Sequence, residues 1–257
     1  MSAKWTLITG ASEGLGVEFA RLAAAEGRDL ILVARQADKL DALAAELRAR
    51  HRIAVEVMPA DLSDPEATEA LWRRATHRRA IEILVNNAGL GDNGAFAEGD
   101  GGREMSSVMV NVAALTQLMK RAVAHMAQQG GGRVLNLGST AGFLPGPNMA
   151  VYHATKAYVL SLSEAVAEEL RGTPVSVTVL CPGATATRFA EGAGMEGIFL
   201  FRSLPTADAA RVARAGWRAM HRGRRIVVPG PINKVFAFAP RLSPRALTTR
   251  VAAMFLK

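Results

Sequence analysis

The fold is decided by the stretch Thr9-Gly10-Ala11-Ser12-Glu13-Gly14-Leu15-Gly16, which links an apolar run at Lys4–Thr9 to a helical pattern at Val17–Ala23. A strand, a glycine-rich turn and a helix in this order predict a phosphate site. Glycine lets a pyrophosphate approach the backbone, and the start of the helix offers free N–H groups. The spacing is G-x-x-x-G-x-G rather than G-x-G-x-x-G. A tight connection without a ligand is the alternative that this turn leaves open.

The rest of the chain repeats the alternation of strand and helix. Helical patterns at 38–50, 65–77 and 206–221 lie between short apolar runs. The seven predicted strands are Lys4–Thr9, Asp29–Ala34, Ile53–Met58, Ile81–Asn86, Arg133–Gly138, Pro174–Cys181 and Arg225–Val228. Such alternation predicts an α/β fold with a parallel sheet and helices on both faces. Because no linker-like tract divides the chain, we expect a single doubly wound Rossmann-type domain over residues 1–257, with a seven-stranded parallel sheet.

Arg35, at the end of the second predicted strand, indicates which dinucleotide the fold would bind. Folds that bind NAD usually place an acid there, which accepts a hydrogen bond from the ribose 2′-hydroxyl, whereas an arginine suits a 2′-phosphate. The residue therefore favours NADP(H) over NAD(H), with a solvated surface arginine as the alternative. Asp61, after the third strand, is placed either to meet the adenine edge or to cap the following turn.

Tyr152 and Lys156 are the candidate acid–base pair. On a helix, side chains four residues apart share one face, with Cβ atoms about 5–6 Å apart. An ammonium beside a phenol favours the phenolate and lowers the phenol pKa, so that the tyrosine can exchange a proton with a substrate oxygen near neutral pH. The other tyrosine, Tyr158, has Leu162 at the equivalent position. Ser139 lies thirteen residues before Tyr152 and completes the candidate set.

Taken together, these motifs resemble the short-chain dehydrogenase/reductase family, in its single-domain, NADP-preferring branch. The resemblance covers residues 4 to about 230. It rests on the glycine turn, Asn86-Asn87-Ala88-Gly89, Asn111, Ser139, the Tyr152/Lys156 pair and Pro182-Gly183, which occur in family order. Glu13 is a departure, because many NADP-preferring relatives carry a basic residue there. Its charge would repel a 2′-phosphate, so Arg35 must dominate for the NADP(H) prediction to hold.

The resemblance implies a role for each catalytic candidate. Tyr152 would be the general acid in reduction and the base in oxidation. Lys156 would hold the nicotinamide ribose and depress the Tyr152 pKa. Ser139 would orient the substrate carbonyl, or alternatively cap a turn. Asn111 would support a water-linked proton path to Lys156, or alternatively be an ordinary polar residue of a helix.

The resemblance also implies a cofactor site. Its expected residues are Gly10, Ser12, Glu13, Gly14, Leu15, Gly16, Arg35, Asp61, Leu62, Asn87, Ala88, Gly89, Tyr152, Lys156, Pro182, Gly183, Thr185 and Thr187. Asn87 would stabilise the cofactor side of the sheet, or merely cap a strand end. Thr185 and Thr187 would contact the nicotinamide amide or the pyrophosphate.

Composition limits the compartment and the kinds of site that we expect. The 257 residues include one cysteine, Cys181, which excludes an intramolecular disulfide and fits a reducing compartment. Cys181 follows an apolar run, so we expect it to be buried at a strand end. We find no secretory signal and no apolar run of about 18 residues, and expect a cytoplasmic protein without a membrane span. The five histidines lack metal-ligand spacing, so we expect no metal site.

Two segments outside the motifs are candidates for substrate and partner contacts. Residues 183–204 mix glycines with apolar side chains, and we expect them to form a substrate lid. Residues 231–257 form a basic C-terminal extension, in which Pro240 and Pro244 break any long helix. The extension is a subunit interface, a cover for the core, or a contact with an anionic membrane or an acidic acyl carrier. The net charge of +8 attracts anions, but no nucleic-acid-reading motif is present.

These features predict an oxidoreductase that transfers a hydride between NADP(H) and a carbonyl or secondary alcohol of a hydrophobic small molecule. The resemblance implies a homodimer or a homotetramer. The alternatives are a non-catalytic dinucleotide sensor on the same fold and a membrane-peripheral ketoacyl or lipid reductase. The intact Tyr152/Lys156 pair favours an enzyme over a sensor.

Overall fold

The computed structural model describes residues 4–194 and 206–256. Its strands form a seven-stranded sheet in the order β3-β2-β1-β4-β5-β6-β7, and each neighbouring pair is parallel. The strands are β1 Lys4–Thr9, β2 Asp29–Val33, β3 Val55–Val57, β4 Ala80–Asn86, β5 Gly132–Leu137, β6 Val175–Leu180 and β7 Ile226–Val227. The predicted parallel sheet is therefore confirmed, with strand ends that differ by one or two residues.

Helices connect the strands. They are α1 Leu15–Ala25, α2 Ala37–His51, α3 Pro65–Thr76, α4 Gly101–Val108, α5 Leu115–Gln128, α6 Ala150–Glu169, α7 Phe189–Gly192, α8 Ala209–His221, α9 Pro231–Phe238 and α10 Arg245–Phe255. A π-helical turn, Met109–Ala114, joins α4 to α5. Short 3-10 turns occupy Thr140–Phe143 and Ala239–Arg241. Within the described ranges, no helix combines the length and apolarity that crossing a bilayer requires.

The sheet is covered on both faces, as predicted. Helices α1, α2 and α8 pack on one face, where Phe19 and Trp217 are buried. Helices α3, α5 and α6 pack on the other face, where Trp72 is buried. The neighbours Leu7 and Ile8 of β1 are fully buried in opposite cores. Strands buried on both faces need apolar residues at successive positions, which is why they read as continuous apolar runs.

Capping residues fix where two of these helices begin. The Asp64 side chain accepts a hydrogen bond from the Glu66 backbone N–H at 2.8 Å, so α3 starts at Pro65 as predicted. The predicted start of the last long helix at Thr206 is wrong. Asp208 accepts from the Arg211 N–H at 2.7 Å, and α8 therefore begins at Ala209.

The strand order reverses at β1, which pairs with β2 on one side and with β4 on the other. The chain that leaves β2 forms α2 on one face of the sheet, and the chain that leaves β4 leads to α5 on the other face. In an open parallel sheet, this arrangement leaves a crevice beyond the carboxyl ends of the strands, where ligands bind. The glycine turn that follows β1 lies at this crevice.

Candidate active site

A cavity of about 1010 Å³ opens at the carboxyl ends of the strands. Every residue predicted to bind a cofactor lines it, with the single exception of Gly16. Ser139, Tyr152 and Lys156 line it too, whereas Asn111 does not. The fold thus brings together residues from all six connections between the strands, although their roles stay predictions.

The glycine turn forms one end of the cavity. Gly10 and Gly14 adopt φ values of +64° and +59°, which side chains rarely tolerate. A Cβ atom on Gly10 would lie 2.8 Å from Cα of Ala88, so the turn and the segment that follows β4 approach backbone to backbone. Gly16 has a packing role, because a Cβ atom there would collide with the carbonyl oxygen of Gly10. No side chain caps the start of α1 at Gly14, which leaves its first N–H groups available for an anion.

Asn87 holds the glycine turn in place. Its side-chain amide donates hydrogen bonds to the carbonyl oxygens of Thr9 and Gly10, each at 3.0 Å. The Thr9 hydroxyl in turn accepts from the backbone N–H groups of Asn87 and Ala88, each at 3.0 Å. These four bonds tie the end of β1 and the start of the glycine turn to the segment that follows β4. The role predicted for Asn87 beside a bound cofactor stays a prediction.

Charged residues surround the same end of the cavity. Arg35 is exposed and lines the cavity, and it forms no ion pair with any residue of the described ranges. Glu13 pairs with Lys39 of α2, with 3.2 Å between the ammonium and the carboxylate. Asp61 accepts from both the backbone N–H and the hydroxyl of Ser63, which lowers the pKa of its carboxyl. Asp61 therefore caps the following turn and lines the cavity as well.

Ser139, Tyr152 and Lys156 lie in the middle of the cavity wall. Lys156 projects from α6 and donates a hydrogen bond to the carbonyl oxygen of Leu137 at 2.8 Å. Its Nζ atom lies 5.8 Å from the centre of the Tyr152 ring. Ser139 follows β5 and caps a 3-10 turn, because its hydroxyl accepts from the Ala141 N–H at 3.1 Å. Ser139 thus caps a turn and also faces the cavity, while its contact with a substrate carbonyl stays a prediction.

The environment perturbs the protonation of this group. Burial raises the pKa of Tyr152 to about 12, and a hydrogen bond with Ser139 only partly opposes the change. Burial lowers the pKa of Lys156 to about 8. We expected Lys156 to depress the Tyr152 pKa, and that expectation is wrong for the chain by itself. The loss of water around the phenol is the largest cause of the shift.

Asn111 lies behind the cavity wall, in the π-helical turn between α4 and α5. Its amide donates to the Leu90 carbonyl at 2.8 Å and to the Thr155 hydroxyl at 3.0 Å. Its oxygen accepts from the Leu90 N–H at 2.9 Å. An added Cβ on Gly89 would touch both this oxygen and Lys156 Nζ. Asn111 is therefore placed to position the backbone beside Lys156 rather than to touch a ligand in the cavity.

Cys181 lies beneath the catalytic candidates. It follows β6 directly and is fully buried, as the sequence predicted. A Cβ atom on Gly138 would come within 2.9 Å of its sulfur, so the thiol packs against the backbone just before Ser139. Burial raises the pKa of this thiol to about 12, and the cysteine is inert at neutral pH.

The opposite end of the cavity is apolar. The Phe189 ring of α7 lies 5.6 Å from the Tyr152 ring. Sequence reasoning missed the contribution of the last two helices, whose Phe236 and Phe255 line the cavity with ring centres 6.0 Å apart. Leu144, Met149 and Leu256 complete this surface. No motif marks these residues, because they come together only through the path of the chain after β7.

The predicted lid, 183–204, is only partly described. Residues 195–204 lie outside the described ranges. The described part begins at Gly183 and is fixed at its base by a bridge between Thr185 and Ala207. Ala193 is buried against the group that contains Met149, Ala252 and Leu256. This part of the segment therefore closes one side of the cavity.

Comparison with known proteins places the chain among dehydrogenases. The sequence profile of the family described as "short chain dehydrogenase" matches residues 4–196. A very-long-chain 3-oxoacyl-CoA reductase of Pyrenophora tritici-repentis is 35% identical over 182 residues, which are 69% of this chain and 53% of that protein. The matched part thus spans about half the length of this relative.

Solved structures agree over almost the whole chain. A short-chain dehydrogenase from Sphingobium yanoikuyae in complex with NADPH is 34% identical, with a TM-score of 0.84, and the match covers 95% of this chain and 94% of that one. A short-chain dehydrogenase/reductase from Burkholderia phymatum in complex with NAD is 27% identical, with a TM-score of 0.82 and coverages of 94% and 92%. The likeness therefore extends to proteins with either dinucleotide.

Proposed function

The chain belongs to the short-chain dehydrogenase family, whose enzymes act on CH–OH and C=O groups, and we propose that it transfers a hydride between NADP(H) and a carbonyl or secondary alcohol of a hydrophobic molecule. One observation carries this proposal. Ser139, Tyr152 and Lys156 share the wall of a cavity that runs from the glycine turn to an apolar end. That arrangement gives one compartment with a phosphate-binding end, a proton donor and an apolar substrate surface.

The cofactor, Tyr152 and Ser139 have different roles in this reaction. When bound, NADP(H) supplies the hydride. Tyr152 gives a proton to the carbonyl oxygen during reduction, and it takes one from the hydroxyl during oxidation. A Tyr152 pKa of about 12 keeps the phenol protonated at neutral pH, which suits it as the acid in reduction. Ser139 donates a hydrogen bond to the same substrate oxygen and stabilises the charge that develops there.

The charges at the glycine-turn end support NADP(H) in preference to NAD(H). Arg35 forms no salt bridge within the described ranges, although it lies near enough to Asp61 to help lower the pKa of that carboxyl, and we infer that its guanidinium is available for a 2′-phosphate. The acid that would oppose a phosphate, Glu13, is paired with Lys39. The pair reduces the repulsion that the sequence led us to expect from Glu13.

The apolar end supports a hydrophobic substrate. Phe189 lies beside the Tyr152 ring, and Leu144, Met149, Phe236 and Phe255 surround the same space. A ketone or a 3-oxoacyl group on an apolar body fits these walls. A 3-oxoacyl-CoA reductase is among the relatives, in agreement with such a substrate.

An absorbance assay tests the proposal. The purified chain is incubated with NADPH, and in parallel with NADH, against a panel of aliphatic, aromatic and polycyclic ketones and an acetoacetyl thioester. We expect turnover of apolar ketones that is faster with NADPH. Binding of NADPH without turnover of any panel member would instead support the non-catalytic sensor. Faster turnover with NADH would reverse the cofactor preference.

Two further predictions accompany this function. We propose a homodimer or a homotetramer, which light scattering after size-exclusion chromatography tests. A cytoplasmic location also stays a prediction, which fractionation of the source cells tests.

A further inference from the structure

The last two helices expose a continuous set of large apolar side chains. Ile232, Val235 and Phe238 recur once per turn on α9, and Val235 is 66% exposed. Helix α10 repeats the pattern on one face, and Leu242 lies between the two helices. We call this set the C-terminal surface: Ile232, Val235, Phe238, Leu242, Leu247, Val251 and Met254. Soluble monomers rarely expose so many large apolar residues together, and such patches mark sites of interaction.

The positive charge of the chain is concentrated in the final segment, which carries the C-terminal surface. Residues 209–257 hold eleven of the 31 Lys and Arg residues and none of the 23 Asp and Glu residues. The first 208 residues therefore carry twenty cations against 23 acids, and the entire positive excess lies in the final segment. Lys234, Arg241, Arg245 and Arg250 flank the C-terminal surface, and none forms an ion pair within the described residues. An asymmetry of this kind indicates an anionic partner.

The C-terminal surface also borders the mouth of the cavity. Ile232 and Val251 are more than 40% exposed, and both line the cavity as well. On the inner side of the same helices, Phe236 and Phe255 continue the apolar lining inward. An apolar path therefore leads from the exposed helices to the neighbourhood of Tyr152.

We propose that the C-terminal surface binds the face of an anionic phospholipid membrane. Its apolar residues enter the boundary between headgroups and acyl chains, and the flanking cations contact lipid phosphates. Helices that lie in a membrane surface combine these two features, with apolar residues on one face and Lys or Arg beside them. Together with the proposed function, on which this step rests, the contact lets an apolar substrate pass from lipid into the cavity.

Other partners for the C-terminal surface account for only its charge or only its apolar side chains. A second copy of this chain would bring two sets of like charges together across a two-fold axis, and residues 209–257 hold no acid to offset them. A nucleic acid would use the cations and leave the seven apolar side chains in water. An acidic carrier protein would match the charge, and the experiment includes it as a separate outcome.

Vesicle co-sedimentation tests the proposal. The full chain is mixed with vesicles of phosphatidylcholine alone, or of phosphatidylcholine with phosphatidylglycerol. We expect sedimentation with the mixed vesicles, much less with the neutral ones, and a decrease as salt is added. Val235→Asp/Leu247→Asp should abolish binding, and Arg241→Gln/Arg245→Gln should weaken it several-fold. All four positions are exposed, so these changes leave the core intact.

Matched controls come from the rest of the surface. Phe96→Asp changes an apolar residue that is 69% exposed and lies outside the C-terminal surface. Arg73→Gln/Lys120→Gln removes two exposed charges from α3 and α5, on the opposite side of the sheet from α8. Both controls should bind mixed vesicles as the parent chain does.

Several results would overturn the proposal. They are equal sedimentation with both kinds of vesicle, and unchanged binding by the Val235→Asp/Leu247→Asp variant. A lower molecular mass of that variant in light scattering would assign the surface to a subunit contact. Binding to an acidic acyl carrier protein, without binding to vesicles, would assign it to a protein partner. Turnover of a water-soluble ketone is measured separately. If the chain is active but does not bind vesicles, the membrane proposal fails and the proposed function stands.

Discussion

Glu13 of the glycine turn and Lys39 of α2 form an ion pair, with 3.2 Å between ammonium and carboxylate, at the end of the cavity that Arg35 also lines. Both side chains are well exposed, so the pair contributes little to stability. The pair instead changes the electrostatic potential near the glycine turn. Because the Lys39 ammonium offsets the Glu13 carboxylate, the turn can accept a negatively charged phosphate.

Lys39→Gln should therefore weaken the use of NADPH. Without Lys39, no opposing charge offsets the repulsion between the Glu13 carboxylate and the 2′-phosphate. Two unit charges about 4 Å apart in water interact by about 1 kcal/mol, and we take this as the expected loss of binding energy. We expect the KM for NADPH to rise about fivefold, with little change for NADH. The combined variant Lys39→Gln/Glu13→Gln should return the KM towards the parent value. An unchanged KM in the single variant would mean that the pair does not act on the cofactor.

Arg35→Gln should have a larger effect. Hydrogen bonds to charged groups contribute about 1.5–3 kcal/mol, so kcat/KM with NADPH should fall about tenfold to a hundredfold. The value with NADH should stay the same or rise. Steady-state kinetics with both cofactors measure this, and Arg73→Gln serves as a control for the loss of a surface charge. Equal losses with both cofactors would show that Arg35 supports the fold rather than the preference for phosphate.

Tyr152→Phe should remove turnover and leave NADPH binding intact. The phenyl ring keeps the contact with Phe189, but no proton reaches the substrate oxygen. General acid catalysis contributes about 10²–10⁴-fold, and a loss of this size is expected in kcat. Tyr158→Phe is the matched control. The Tyr158 hydroxyl of α6 is hydrogen-bonded to the Thr116 hydroxyl of α5, and Tyr158 does not line the cavity. If kcat survives in Tyr152→Phe, another group is the acid.

The buried Lys156 predicts a dependence of stability on pH. Its folded pKa of about 8 lies below the ordinary value of 10.5, so the unfolded chain binds more protons between these values. The unfolding free energy should therefore gain from Lys156 as pH rises from about 8 to 10.5, and lose that gain as pH falls through 8. Urea unfolding at several pH values measures it for the parent chain and for Lys156→Met. The difference between the two curves should change by on the order of 3 kcal/mol. A constant difference would place the Lys156 pKa near its ordinary value.

Gly183→Ala should disturb the cofactor end of the cavity through α9. An added methyl group would collide with the side-chain oxygen of Asn233, which itself donates to the Pro229 carbonyl at 2.7 Å. We expect a loss of about 1–3 kcal/mol in the unfolding free energy, together with a higher KM for NADPH. Asn233→Ala in the same chain makes room for the methyl group and should restore most of both values. A double variant no better than Gly183→Ala would rule out this collision as the cause.

The strands could be predicted from the sequence because burial on both faces demands uninterrupted apolar residues. The third strand begins at Val55 rather than at the predicted Ile53, since Arg52 ends α2 in a left-handed conformation with φ of 56°. Thr206 and Asp208 both suit a helix start, and hydrogen-bond geometry rather than residue type selected Asp208.

The polar part of the candidate site could be predicted because its residues follow strand ends, and the ends of parallel strands meet. The apolar part could not. Phe236 and Phe255 lie in the helices after β7 and line the cavity because of the tertiary fold, which no local pattern encodes. Burial of the Tyr152 phenol is likewise a property of the assembled site, and for this reason the direction of its pKa shift was wrong in the sequence argument.

The solitary thiol of Cys181 gives the chain a built-in reporter. It lies fully buried against Gly138, one residue before Ser139, and no other cysteine competes with it. An aromatic disulfide reagent can react only when the floor of the catalytic centre opens. The rate of colour release therefore measures how readily this floor opens, without any engineered label. A ligand that tightens the centre should slow the reaction in proportion to how rarely the floor opens.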